Sequence, residues 1–120
     1  ISTLLDRYIR AWETGDVDGL VALLQEDATV SMPPSPSWFA GRDAIRAFTA
    51  AHIFVPPNAW KLVRTRANAQ PAFALYQHAG TGPYRAFGIQ VLTIRHDRIA
   101  GITTFINPDL VGLFGPAREQ

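Results

Sequence analysis

Three prolines within four residues, Pro33, Pro34 and Pro36, constrain this chain more than any other feature. A proline offers no N–H to a sheet ladder, so no central strand runs through them. Ahead of them Ala28, Val30 and Met32 alternate as a strand does, and after them come Trp38 and Phe39. Gly41 then opens a helical pattern carrying Ala44, Ile45 and Phe48. Residues 27–48 therefore read as a strand, an aromatic-tipped loop and a helix, one wall and the rim of a pocket.

The preceding segment forms a helical hairpin. Leu4, Leu5, Tyr8, Ile9 and Trp12 share one face of a helix, Gly15 stops it, and Asp16 caps a second helix with Val17, Leu20, Val21 and Leu24 as its buried stripe. Residues 52–58, with Pro56-Pro57, are irregular. Residues 60–68, 71–78, 84–96 and 98–107 are rich in Val, Ile, Thr and aromatics, with separators short enough for antiparallel hairpins. Asn107-Pro108-Asp109 breaks the last strand, and Leu110, Val111, Leu113 and Phe114 form a short amphipathic tail. The order ααβαββββ implies an α+β fold: a cone-shaped, strongly curved antiparallel sheet with three helices on its concave side.

At 120 residues the chain suits a single domain, 1–120. A hydrophobic share of 48% against 18% charged fits a packed core. The formal charge of +1, with one lysine and scattered arginines, gives no basic stripe for nucleic acid. No apolar run approaches the roughly 20 residues of a membrane span. The absence of cysteine removes disulfides and thiolate metal sites and fits a cytoplasmic protein. His52, His78 and His96 have no metal-ligand spacing, so no metal or other cofactor is expected. The chain starts at Ile1, which fits a piece of a longer polypeptide.

Arg7-Tyr8-Ile9 with Gly15-Asp16, the run Asp27-Ala28-Thr29-Val30, and Gly41-Arg42-Asp43-Ala44-Ile45 resemble the nuclear-transport-factor-2-like superfamily, in particular its SnoaL-like branch of polyketide cyclases and ketosteroid-isomerase relatives. More narrowly, MPPSPSWFAGRDAIRAF, WKLVRTRANAQPAFALY, GIQVLTI and RIAGITTFINPDLVGLFG are similar to the C-terminal domain of certain extracytoplasmic-function sigma factors. That resemblance implies a regulatory module contacting sigma-factor domains and RNA polymerase, with Asn107, Pro108 and Asp109 in an interdomain tail. The wider fold-class resemblance implies a possible homodimer through the convex sheet face, while charge and hydropathy lead us to expect no direct contact of this domain with nucleic acid or membrane.

The same resemblance tests catalysis. Tyr8 matches the tyrosine with which ketosteroid isomerases donate to a developing oxyanion. Their general base falls at Met32 and their protonated acid at Phe87, both apolar here. The carboxylates of the chain fall at caps, turns and solvent faces. A non-catalytic cavity for a small apolar ligand is the first reading, lined by Tyr8, Trp12, Met32, Trp38, His52, Trp60, Phe87 and Thr104. The alternative is a cyclase- or isomerase-like enzyme acting on an apolar carbonyl compound through Tyr8 and His52, since His52 shares the stripe of Ile45 and Phe48. Trp38, following the prolines, belongs at a rim or interface. Arg64, Arg66 and Asn68 alternate onto one strand face with Trp60 and Leu62; on a concave face an arginine would bind a ligand carboxylate or pair internally, and the preferred convex face would leave them solvated or at an interface.

Overall fold

The computed structural model describes residues 2–36, 38–67 and 69–113, with side chains at all of these but 66 and 67. Asn68, the side chain of Arg66 and the tail beyond Leu113, including Phe114, therefore lie outside the described residues. Helices α1 (Ser2–Thr14) and α2 (Val17–Val21) lead into strand β1 (Leu24–Ser31). A short β2 (Trp38–Ala40), helix α3 (Arg42–Phe48) and a π-helical turn (Thr49–Ile53) follow. Strands β3 (Ala59–Ala67), β4 (Gln70–His78), β5 (Arg85–Arg95) and β6 (Arg98–Phe105) complete the sheet, and α4 (Asp109–Leu113) ends the described chain.

The fold is α+β, with one six-stranded sheet ordered β2-β1-β6-β5-β4-β3. From β3 to β6 the strands form the expected antiparallel meander. Two features differ from the expected order. Leu24 does not extend α2 but opens β1, where it pairs with Ile99; β1 runs parallel to β6. β2 is an added strand, pairing Val30 with Phe39 and Ser31 with Trp38. The prolines thus end β1, as expected, and the chain folds straight back on itself.

Pleating divides the apolar side chains between two faces. Leu62 of β3, Phe73 and Leu75 of β4, and Leu92 of β5 join Leu4, Tyr8 and Trp12 of α1 and Ile45 of α3 in the main core. On the opposite face Ala74, Tyr76 and Ile89 form a smaller cluster closed by Val111 of α4. A fourth helix therefore packs on the side away from the first three. At its start Asn107 Oδ1 accepts from Asp109 N–H at 3.0 Å, which satisfies one free N–H, while Pro108 has none to satisfy. Ile106 N–H donates to the Pro33 carbonyl at 2.9 Å, tying the tail to the proline loop.

Capping works as the sequence implies at α2, where the Asp16 side chain accepts from Gly19 N–H at 2.9 Å. The β5–β6 hairpin is less comfortable. His96 and Asp97 have φ of 53° and 60° between the paired Arg95 and Arg98, the backbone of a turn that favours Asn-Gly. Asp97→Gly should therefore raise stability by about 1 kcal/mol, read as a higher urea midpoint at unchanged slope.

Arg64 corrects the preferred sequence reading. It shares its strand face with Trp60 and Leu62, which is the helix-covered one. It forms an ion pair with Asp6 of α1 while staying exposed at the edge, a contact of small energetic weight.

Candidate functional site

Between the helices and the sheet lies a small cavity of about 30 Å³, room for little more than one water. Val30 and Met32 come from the end of β1, Leu20 from α2, and Ile45 and Phe48 from α3. Ile102 and Thr104 of β6, Gln90 of β5, and Thr49 and Ile53 of the π-turn complete it beside Trp12. None of these is a carboxylate or an imidazole.

Besides the Thr49 and Thr104 hydroxyls, the lining carries the Gln90 amide and the Trp12 indole, with Tyr8 behind Gln90. The Tyr8 hydroxyl, fully buried, donates to Gln90 Oε1 at 2.7 Å. The Tyr8 ring stacks on Phe73 with centroids 5.4 Å apart. Burial pushes the Tyr8 hydroxyl pKa far upward, because a phenolate would be stranded without solvent. The Trp12 indole N–H partly offsets that rise, yet it falls short of hydrogen-bond geometry, and Nε1 is buried without a protein partner.

Of the sequence-derived pocket residues, Trp12, Met32 and Thr104 line this cavity, with Tyr8 behind Gln90. Trp60 and Phe87 pack edge to face at 5.2 Å, and Trp60 meets Trp12 likewise at 5.5 Å. Trp60 Nε1–H donates to the Ile53 carbonyl at 3.0 Å. Outside Trp12 lies a groove of about 320 Å³ between the C-terminal end of α1 and residues 54–60. Its carboxylate, Glu13, accepts from Leu62 N–H at 3.2 Å.

The structure places two residues elsewhere. Trp38 is 63% exposed on β2, away from the cavity, in keeping with a rim or interface. His52 is exposed beside Phe48, with ring centroids 5.4 Å apart, and does not face the cavity. The cause is the π-turn: Phe54 N–H bonds to Thr49 O, an i→i+5 step. The wider turn breaks the 3.6-residue stripe, so Thr49 and Ile53 point inward where an α-helix would have turned His52.

Gln90, only 1% exposed, escapes a simple alternation because of a bulge. Leu75 pairs with Gly88 and Tyr76 with Ala86, so Phe87 is an extra residue. The bulge resets the parity of β5 and brings Gln90 and Leu92 onto the same face as Phe87. The available signal was Gly88 inside a strand pattern. Among the described residues no three His, Asp or Glu side chains cluster as a metal site would require.

A curved sheet wrapped by three helices around a mostly apolar hollow defines a nuclear-transport-factor-2-like domain. Residues 5–102 match the SnoaL-like domain model, and the chain belongs to that family. It is 37% identical over 115 residues to the ECF RNA polymerase sigma factor SigG of Mycobacterium tuberculosis. That match covers 93% of this chain but 30% of the sigma factor, so the chain spans about a third of that relative's length. Among solved structures, an NTF-2 like protein of unknown function from Burkholderia xenovorans LB400 is similar, with a TM-score of 0.74 and 16% identity. That likeness covers 97% of this chain and 93% of the other. The epoxide hydrolase/cyclase-like enzyme SalBIII is similar too, with a TM-score of 0.73 and 20% identity, over 88% and 89% of the two chains. At these identities the structural likeness concerns the fold.

Proposed function

We propose that this is a non-catalytic, ligand-sensing domain of an extracytoplasmic-function sigma factor, working in the cytoplasm through contacts with sigma-factor domains and RNA polymerase. One observation carries the non-catalytic part: the cavity lining has hydroxyls, an amide and an indole N–H but no group that accepts a proton near neutral pH. Met32 stands in that lining where the isomerase resemblance asks for a base. The similarity to a sigma factor over 93% of the chain supports the transcriptional setting.

The tail from Asn107 is the proposed contact with the sigma-factor domains, held against the sheet by Val111. A second copy, where the domain dimerises, would pack on the sheet face that α4 leaves bare, near the 38%-exposed Phe105. In a polypeptide joining this domain to sigma-factor domains, deleting residues 107–120 should change the yield of promoter-directed transcript several-fold. Asn107→Ala, which only loosens the start of α4, should shift it in the same direction. Unchanged yield in both would overturn the regulatory part.

The cyclase or isomerase reading retains Tyr8 as a donor, but its proton is already held by Gln90. The wild-type domain is expected to leave polycyclic ketones unconverted. Turnover lost in Tyr8→Phe, with or without His52→Ala, would overturn the non-catalytic part.

A further inference from the structure

Strand β3 ends the sheet: β4 pairs with it on one side, and among the described residues no strand pairs on the other. It is nine residues long, against three for β2 at the opposite end. In an antiparallel ladder alternate residues aim both N–H and C=O at the neighbouring strand, and the rest aim theirs away. Leu62 is one of the latter, because its N–H donates to a side chain, Glu13 Oε2, at 3.2 Å. Trp60 and Arg64, two residues to either side, share that direction. The outer edge of β3 is therefore a row of backbone donors and acceptors of the kind an extended chain pairs with. What meets it now is acidic. Glu13 holds the Leu62 amide, and Asp6 pairs with the Arg64 guanidinium. Both carboxylates lie on exposed residues of α1, so these are surface contacts that exchange at little cost.

We propose that the outer edge of β3 is a docking site for an extended acidic segment of a partner protein, which adds as a further strand and carries two carboxylates three residues apart. The spacing follows from the pleat. Lys61 and Arg64 stand three residues apart in β3 and so project from opposite faces, Arg64 on the helix-covered one. Residues i and i+3 of an added strand lie on opposite faces too, and meet both cations at once. The groove of about 320 Å³ bordered by Glu13, Asn58, Ala59 and Trp60 leaves room for that chain beside the start of β3. A second copy is the wrong occupant, since pairing β3 with itself would set Lys61 and Arg64 against their own kind. The β2 edge, formed by Trp38, Phe39 and Ala40, offers neither cation. This surface lies outside the cavity and does not rest on the ligand-sensing reading.

Two short blocked peptides of threonine, valine and two glutamates, equal in composition, provide the test. One has its glutamates three residues apart, the other two apart. Titrated into the ¹⁵N-labelled domain, the first should move the backbone amide signals of Trp60, Leu62 and Arg64 and leave those of Trp38 and Ala40 in place. It should bind about threefold tighter than the second, whose glutamates both fall on one face. The same peptide with lysines for glutamates should not bind. Glu13→Ala, which releases the Leu62 amide, should tighten the first peptide several-fold, and Arg64→Glu should erase the difference between the isomers. The thermal midpoint reports whether each variant keeps its fold, and the wild-type titrations decide if one does not. Unmoved β3 signals, equal affinity for the isomers, or binding of the lysine peptide overturns the proposal. Movement of the same amides on raising the protein concentration alone would make a second copy the occupant and overturn it as well.

Discussion

Gly88→Ala is expected to destabilise the domain by about 3 kcal/mol, seen as a large drop in the urea midpoint. A Cβ built on Gly88 would lie 2.0 Å from the Phe105 carbonyl oxygen and 3.2 Å from Asn107 N. Both are backbone atoms, fixed where the chain leaves β6 for α4, and Phe105 O already accepts from Asn107 N–H. No rotamer change relieves such a contact, so either the β5 bulge or the exit from β6 must shift. Gly112, with nothing within 4 Å of its added Cβ, is the control. Gly112→Ala should be neutral or stabilise by about 0.5 kcal/mol. A mild Gly88→Ala variant would mean that the close approach in β5 is not required.

The second large effect concerns Tyr8. Tyr8→Phe keeps the ring stack on Phe73 but leaves Gln90 Oε1 buried without its donor, at a cost of about 2 kcal/mol near neutral pH. The gap between wild type and variant should then narrow in alkali. Burial raises the folded-state pKa of the hydroxyl above its ordinary 10.0, so the folded state keeps a proton that the unfolded state releases. Below pH 10 both states are protonated and the contribution is constant. Above it, wild-type stability should fall by about 1.4 kcal/mol per pH unit more steeply than that of Tyr8→Phe. Parallel pH profiles for the two proteins would show that Tyr8 ionises freely in the folded state.

The sequence made the meander plain because the hairpin turns are short and the strands between them are β-branched and aromatic. It made α1 plain because Leu4, Tyr8 and Trp12 recur at helical spacing, and all three are buried. β2 escaped notice because three residues after a proline run carry no measurable period. Leu24 was misplaced because it sits three residues after Val21 and four after Leu20, a helical spacing that strand pairing with Ile99 overrode. Of the residues read from the sequence as pocket lining, Trp12, Met32 and Thr104 border the small cavity. His52 was placed on the wrong side, and Gln90 was passed over, for one shared reason. Each lies beyond a local change of period, the π-turn in one case and the bulge in the other, and a stripe extrapolated through either ends on the wrong side.

The Tyr8–Gln90 bond spans 82 residues, and β1 finds its parallel partner only in β6. A ribosome making this chain would release the first helix and first strand long before either could be sealed. Until the final hairpin emerges, Leu4, Tyr8 and Trp12 remain available to chaperones or to wrong neighbours. Slowing translation across residues 85–105 should therefore raise the yield of aggregated product more than an equal pause placed after the last strand.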